Sequence, residues 1–216
     1  MIPSDHFTRF YNEVFKFLEK QGEEDLENYW LEISKNQEKH TLELFKEKGL
    51  AGMYEYWDHI RIEENCDLDL KLEPNKLELK MNVCPSLSKV QDNDAEPMKR
   101  YCDHCAGWIG PIIDKVGYHL VYDVIDRKKP QCVLNIFKDK EEALKEEKNA
   151  KLHNNISKDI SKLKSLTEDK LNKRLTDKKF DKEYSKIFKK LSKSLKKSKH
   201  IKDYELLTSF ILEIDK

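Results

Sequence analysis

Glycine and proline are scarce in this chain, six of each, and neither occurs after residue 130. The last 86 residues therefore lack the two residues that most often punctuate regular structure. That absence predicts long helix there rather than a loop-rich domain. Long apolar runs are missing too: no stretch approaches the ~18 residues that span a bilayer. The opening segment, Met1 to Phe7, has neither the basic nor the apolar region of a signal peptide, so a cytoplasmic protein is expected. Cysteines number five, an odd count, and without an export signal they do not read as a disulfide framework. In a reducing compartment they are thiols, thiolates or metal ligands. Net charge is also absent, with 41 basic against 41 acidic side chains.

That zero is a sum over unlike halves. Residues 1–140 carry 20 basic and 27 acidic side chains, whereas residues 141–216 carry 21 and 14. The chain reads as an acidic body, residues 1–140, followed by a Lys-rich helical extension, residues 141–216. Hydrophobic residues make up 38% of the chain, below the usual globular share. Nine Phe, nine Tyr and three Trp still supply bulky apolar surface for one core.

Within the body, residues 1–64 read as helical. Ser4 is suited to cap a first helix, and Phe7, Phe10, Tyr11, Val14, Phe15 and Leu18 recur at helical steps. Gln21-Gly22 ends that helix. Glu23, Glu24, Asp25 and Glu27 crowd the next helix start, where the dipole favours anions. The helical pattern breaks near Gly49 and resumes from Met53 to about Ile62. At Cys66 the period changes to two. Leu68, Leu70 and Leu72 alternate with charged residues, a turn follows at Glu73-Pro74-Asn75-Lys76, and Leu77, Leu79, Met81 and Val83 alternate again. This predicts a β-hairpin with one buried face. Pro97 is expected at the first position of a crossover helix carrying Tyr101 to Trp108, with a kink or restart at Gly110-Pro111 and a cap at Gly117. Tyr118–Ile125 and Cys132–Phe137 are the remaining strands. The fold class is α+β: a four-stranded antiparallel sheet over residues 65–138 with a crossover helix, N-terminal helices and the basic extension.

Cys84, Cys102, Cys105 and Cys132 all fall in the sheet region. Cys102 and Cys105 share a helix face by their spacing. Three chemistries fit. Four thiolates, or three with His104, are a donor set for zinc. Alternatively one cysteine is a nucleophile, its thiolate favoured by a helix start, with His104, Asp103 or His119 as acid–base groups. Or all four are small buried apolar side chains. Trp108, Tyr118 and Tyr122 are either core or the walls of a small-molecule pocket. Gly107, Gly110 and Gly117 do not have the spacing of a phosphate loop.

The order Cys84-Pro85, Tyr101-Cys102 with Cys105, Gly117-Tyr118 and then Cys132 before an alternating strand resembles the L-2-amino-thiazoline-4-carboxylic acid hydrolase-like family over about residues 60–138. The resemblance implies a small α+β domain that opens the ring of a cyclic amidine, with a small-molecule substrate and no cofactor. In that chemistry a thiolate attacks the amidine carbon, a donor protonates the departing ring atom and water resolves the adduct. Cys84 or Cys102 is then the nucleophile, His104 the acid–base and Asp103 its orienting partner, with Trp108, Tyr118 and His119 lining the substrate. The alternative is a non-catalytic zinc- or ligand-binding regulatory domain, its metal held by Cys84, Cys102, Cys105 and Cys132. Cys66 reads as structural.

In the extension, Ile156, Ile160 and Leu163 share a face, and Ser165 with Glu168 has the spacing of a capping box. Leu171, Leu175, Phe180, Tyr184, Ile187, Phe188, Leu191 and Leu195 continue the stripe, and Leu206, Leu207, Phe210, Ile211 and Leu212 form a last apolar patch. Eight lysines and no acid lie between Lys186 and Lys202. Such a basic amphipathic stretch suits an anionic partner, lipid or nucleic acid, or a solvated lysine face over packed apolar residues. Arg174 is the only Arg in the last 76 residues, which disfavours reading of base edges.

Overall fold

In a computed structural model, residues 5–92, 96–172, 176–198, 203–204 and 206–209 are described. The chain divides into two compact units, residues 1–144 and 145–216. The first unit opens with three helices: α1 (Asp5–Gln21), α2 (Glu23–Lys48) and α3 (Leu50–Glu63). Strands β1 (Asp67–Leu72) and β2 (Lys76–Val83) follow, then helices α4 (Pro85–Gln91) and α5 (Asp103–Lys115). Strands β3 (His119–Asp126) and β4 (Gln131–Phe137) complete the sheet. Helix α6 (Lys140–Leu171) then leads into the second unit.

The sheet is α+β in character, entirely antiparallel, with strand order β1-β2-β4-β3. Consecutive strands β2 and β3 are not neighbours, because β4 lies between them. The chain between them therefore crosses over, and α4 and α5 are that crossover. Alternation assigns the two faces. Leu68, Leu77, Leu79, Leu134 and Ile136 face the helices and pack with Phe45, Met53 and Ile112 in one core. Asp67, Asp69 and Asn82 lie on the opposite face, where the Asn82 amide donates to both carboxylates, at 3.2 and 3.0 Å.

Gly49 separates α2 from α3 with φ 56°. A Cβ there would collide with the Tyr118 hydroxyl, so the corner needs glycine for both conformation and room. Further along, Gly117 follows α5 at φ 81°, the left-handed position that ends many helices. Pro111 sits inside α5 without ending it, so α5 runs through the expected kink.

Two local expectations are corrected. Pro97 does not start a helix: residues 96–98 are irregular and 99–102 form a turn, and α5 begins at Asp103 with Cys102 as its N-cap. The first crossover helix is instead α4, with Pro85 at its first turn. Turn chemistry around Pro97 outweighs its suitability for a helix start because the 96–98 backbone is tied to α1. The fully buried Asn12 accepts from the Met98 N–H at 2.8 Å and donates to the Glu96 carbonyl at 3.1 Å.

In the second unit, α7 (Asp177–Leu195) packs Leu191 and Leu195 on Ile156, Ile160 and Leu163. Ser165 lies inside the continuous α6, so it is no cap. Lys190 is not part of a purely solvated face: its ammonium lies 2.9 Å from the carboxylate of Asp159, which is buried. The Ser4 cap, Arg174, Leu175, Lys199, Lys202, Phe210, Ile211 and Leu212 lie outside the described residues. Among the described residues no helix is long and apolar enough to cross a membrane.

Candidate thiol centre

Strand β2 delivers the chain to Cys84, whose amide donates to the Pro130 carbonyl at 2.7 Å. That bond pins the start of α4 to the β3–β4 turn. Cys132, second residue of β4, lies just beyond the same turn and pairs with Val124 and Met81 in the sheet. At the other end of the crossover, the start of α5 presents Cys102 and Cys105. These elements bring Cys84, Cys102, Cys105, Cys132 and His104 around one cavity of about 20 Å³, with Tyr122 on its wall. That volume accommodates a single water-sized occupant.

The environment is apolar. Cys102 and Cys132 are buried, and Cys84 and Cys105 half-buried. Loss of water raises all four thiols above their ordinary range: Cys84, Cys102 and Cys105 are each pushed up to about 11 and Cys132 further still. The sulfurs also act on one another: Cys105 raises Cys84, Cys102 and Cys132, and Cys84 raises Cys102 and Cys132. Opposing these effects, Leu87 donates its N–H to Cys84 Sγ at 3.5 Å across the first turn of α4, and the Tyr122 hydroxyl on the cavity wall lowers Cys105 and Cys132.

His104 is 6% exposed. Its rings of contact are Tyr101 at 4.9 Å, Trp108 at 4.5 Å and Phe15 at 5.5 Å. Burial in this aromatic nest pulls the imidazole down to about 4. Its Nδ1 is hydrogen-bonded to the Tyr101 carbonyl. A carbonyl only accepts, so Nδ1 carries the proton and Nε2 carries a lone pair. Cys105 Sγ lies 3.5 Å from that Nε2.

The other expected site residues are elsewhere. Asp103 does not orient His104. Its carboxylate pairs with Arg100 at 3.1 Å and Arg127 at 3.4 Å, and it borders a separate open cleft with Trp30 and Glu27. Trp108 reaches His104 through its ring and is packing around the imidazole. Tyr118 meets Gly49 at the α2–α3 corner. His119 begins β3 opposite Phe137, at the far end of the strand from Cys132. Cys66, expected to stand apart, precedes the Asp67–Val83 pair and feels the charge of Cys84. Tyr122, weighed only as core or pocket wall, is the hydroxyl of the cluster. Its place two residues from Val124, the partner of Cys132, becomes visible only once the register is known.

Among the described residues, no group of three or more His, Cys, Asp or Glu side chains is arranged so that it could hold a metal ion. No family model matches this chain, and no curated protein or solved structure matches it.

Proposed function

We propose that the first unit is a thiol-based binding domain for a soft divalent cation, zinc above all, with a regulatory or structural role. One observation carries the reading: four thiols and a buried imidazole from three separate elements converge on a cavity of about 20 Å³. Small-molecule sites are commonly larger, and a single ion suits this space. The donors suit zinc, which takes sulfur and imidazole nitrogen in tetrahedral sets. The thiols are protonated near neutral pH and release protons as they bind, which makes affinity rise with pH. His104 fits as well, because its second nitrogen is anchored on a backbone carbonyl, the arrangement that orients metal-binding imidazoles.

Elemental analysis of protein purified without chelator tests this. The expected result is one zinc per chain, with the cluster cysteines protected from alkylation until a chelator removes it. Absence of metal together with one hyper-reactive thiol would overturn it.

A second reading rests on Cys84. Its sulfur receives the Leu87 N–H at a helix start, a bond that favours the thiolate against the burial that holds this thiol at about 11, and the resemblance to thiazoline-carboxylate hydrolases points to that chemistry. Under this reading Cys84→Ser abolishes hydrolysis of a cyclic amidine such as 2-amino-thiazoline-4-carboxylate. Unchanged turnover in that variant, or none in the parent protein, removes it.

A further inference from the structure

Helix α7 belongs to the second unit and takes no part in the thiol centre. Its apolar side is fixed by packing: Leu191 and Leu195 are buried, with Tyr184 and Ile187 against the same cluster. At about 100° per residue, these four and Phe180 fall within an arc of about 80°. On the opposite side lie Lys178, Lys179, Lys182, Lys186, Lys189, Lys190 and Lys193, with Lys196 at the C-cap. They fill an arc of about 120°, and no other residue of α7 falls in it. The acids of the helix, Asp177, Asp181 and Glu183, lie outside that arc. All eight lysines are exposed. Among the described residues only Lys190 of the eight pairs with a carboxylate, that of Asp159.

We propose that this lysine face binds the phosphate backbone of duplex nucleic acid without reading its sequence.

Charge complementarity is the first reason. Like charges crowded on one exposed face repel one another, and a polyanion relieves that repulsion while releasing its own counterions. From Lys178 to Lys196 the helix runs about 27 Å. One strand of a duplex presents a phosphate every ~3.4 Å, so phosphates and lysines match in number over that length. The backbone curves away from a straight helix, and roughly four contacts form at once.

The type of side chain is the second reason. Lysine offers a point charge and lacks the planar fork with which arginine pairs bidentately. A point charge suits phosphate and does not select base edges. Single strands are held by stacking their bases on aromatic rings. The rings of α7 that stack on one another, Phe180, Tyr184 and Phe188, lie outside the lysine arc.

The occupied apolar stripe is the third reason. A lipid surface takes up a basic amphipathic helix by burying its apolar face at the acyl boundary. In α7 that face is already covered by Ile156, Ile160 and Leu163 of α6, which leaves the lysines as the surface on offer.

Anisotropy of a labelled duplex of about 20 base pairs, titrated with the full chain, tests the proposal. Saturable binding is expected in ~50 mM salt, at least about a hundredfold weaker in ~200 mM, as roughly four phosphate contacts require. A duplex of unrelated sequence is expected to bind within about twofold. Lys186→Gln, Lys189→Gln and Lys193→Gln together remove three charges from the middle of the face. These side chains are exposed, so the helical circular dichroism should stay unchanged while the slope of log K on log salt falls by about 2–3. No binding by the parent chain in ~50 mM salt overturns the proposal, as does a triple variant that keeps its helix and the parental slope. Capture by phosphatidylserine vesicles with none by the duplex overturns it in favour of a membrane.

Discussion

Asn12 offers the sharpest test of how this fold positions its candidate site. It lies on α1, fully buried, and makes two bonds to a segment more than 80 residues away. The Met98 N–H donates to its Oδ1 at 2.8 Å, and its Nδ2 donates to the Glu96 carbonyl at 3.1 Å. Met98 is 3% exposed, so without Asn12 its amide has no water to turn to. An unsatisfied buried donor costs about 1–3 kcal/mol. Glu96 is exposed, so its carbonyl regains water, and the second bond is worth only about 0.5–1.5 kcal/mol. Asn12→Leu keeps most of the side-chain volume and removes both bonds. The expected loss is about 2–4 kcal/mol, less whatever the added apolar burial returns. For a unit of this size that corresponds to a fall in Tm of roughly 5–10 °C. Urea unfolding followed by tryptophan fluorescence reads it, because Trp30 and Trp108 belong to the same cluster as Met98. Asn12→Asp retains the acceptor and should keep the Met98 bond, although it buries a charge. A loss under about 0.5 kcal/mol in Asn12→Leu would refute the claim that this clip fixes the approach to α5.

Three other outcomes follow from the packing and electrostatics. Burial holds His104 at about 4, below the ~6.5 of a free imidazole, so the unfolded chain binds a proton that the folded chain refuses. The contribution is fully present above pH 6.5 and is lost as pH falls toward 4, by at most ~3 kcal/mol. Chelator-treated protein should show this slope between pH 7 and 4.5, and a His104→Gln variant with the same slope would contradict it. Gly52→Ala brings a Cβ to 2.5 Å from the Leu44 carbonyl oxygen. That backbone clash of about 1–3 kcal/mol outweighs the helix-propensity gain of up to ~1 kcal/mol, so thermal melting should show a lower Tm, and a raised one would refute the contact. Lys190→Met leaves the buried Asp159 carboxylate without its cation. Because Lys190 is itself 61% exposed, the expected loss is only about 1–2 kcal/mol, against no measurable change in Lys186→Met under the same denaturant titration.

Periodicity carried much of the fold into view. The two-residue alternation of Leu68 to Leu72 and Leu77 to Val83 is a local property of a sheet with one buried face, and β1 and β2 lie where it predicts. Glycine at residue 49 marked a real break because its backbone occupies a conformation that side chains resist. The short helix α4 escaped notice because seven residues hold too few turns for an apolar stripe to declare itself. Pro97 misled because local propensity cannot register a bond from Asn12, 86 residues away from Met98.

By itself the sequence determined the class of structure, the asymmetry of charge and the residues able to bear chemistry. Those follow from composition and from patterns a few residues long. The meeting of Cys84, Cys102, Cys105 and Cys132 depended on more. It required the strand order β1-β2-β4-β3, the Cys84 bond to Pro130 and the placement of α5 against the sheet. These are contacts between distant segments, and nothing in local spacing encodes them. The tertiary structure also turned Asp103 away toward Arg100 and Arg127 and aimed His104 Nε2 at Cys105. Burial against Phe15 of α1 sets the direction of His104, whereas ion pairs set that of Asp103.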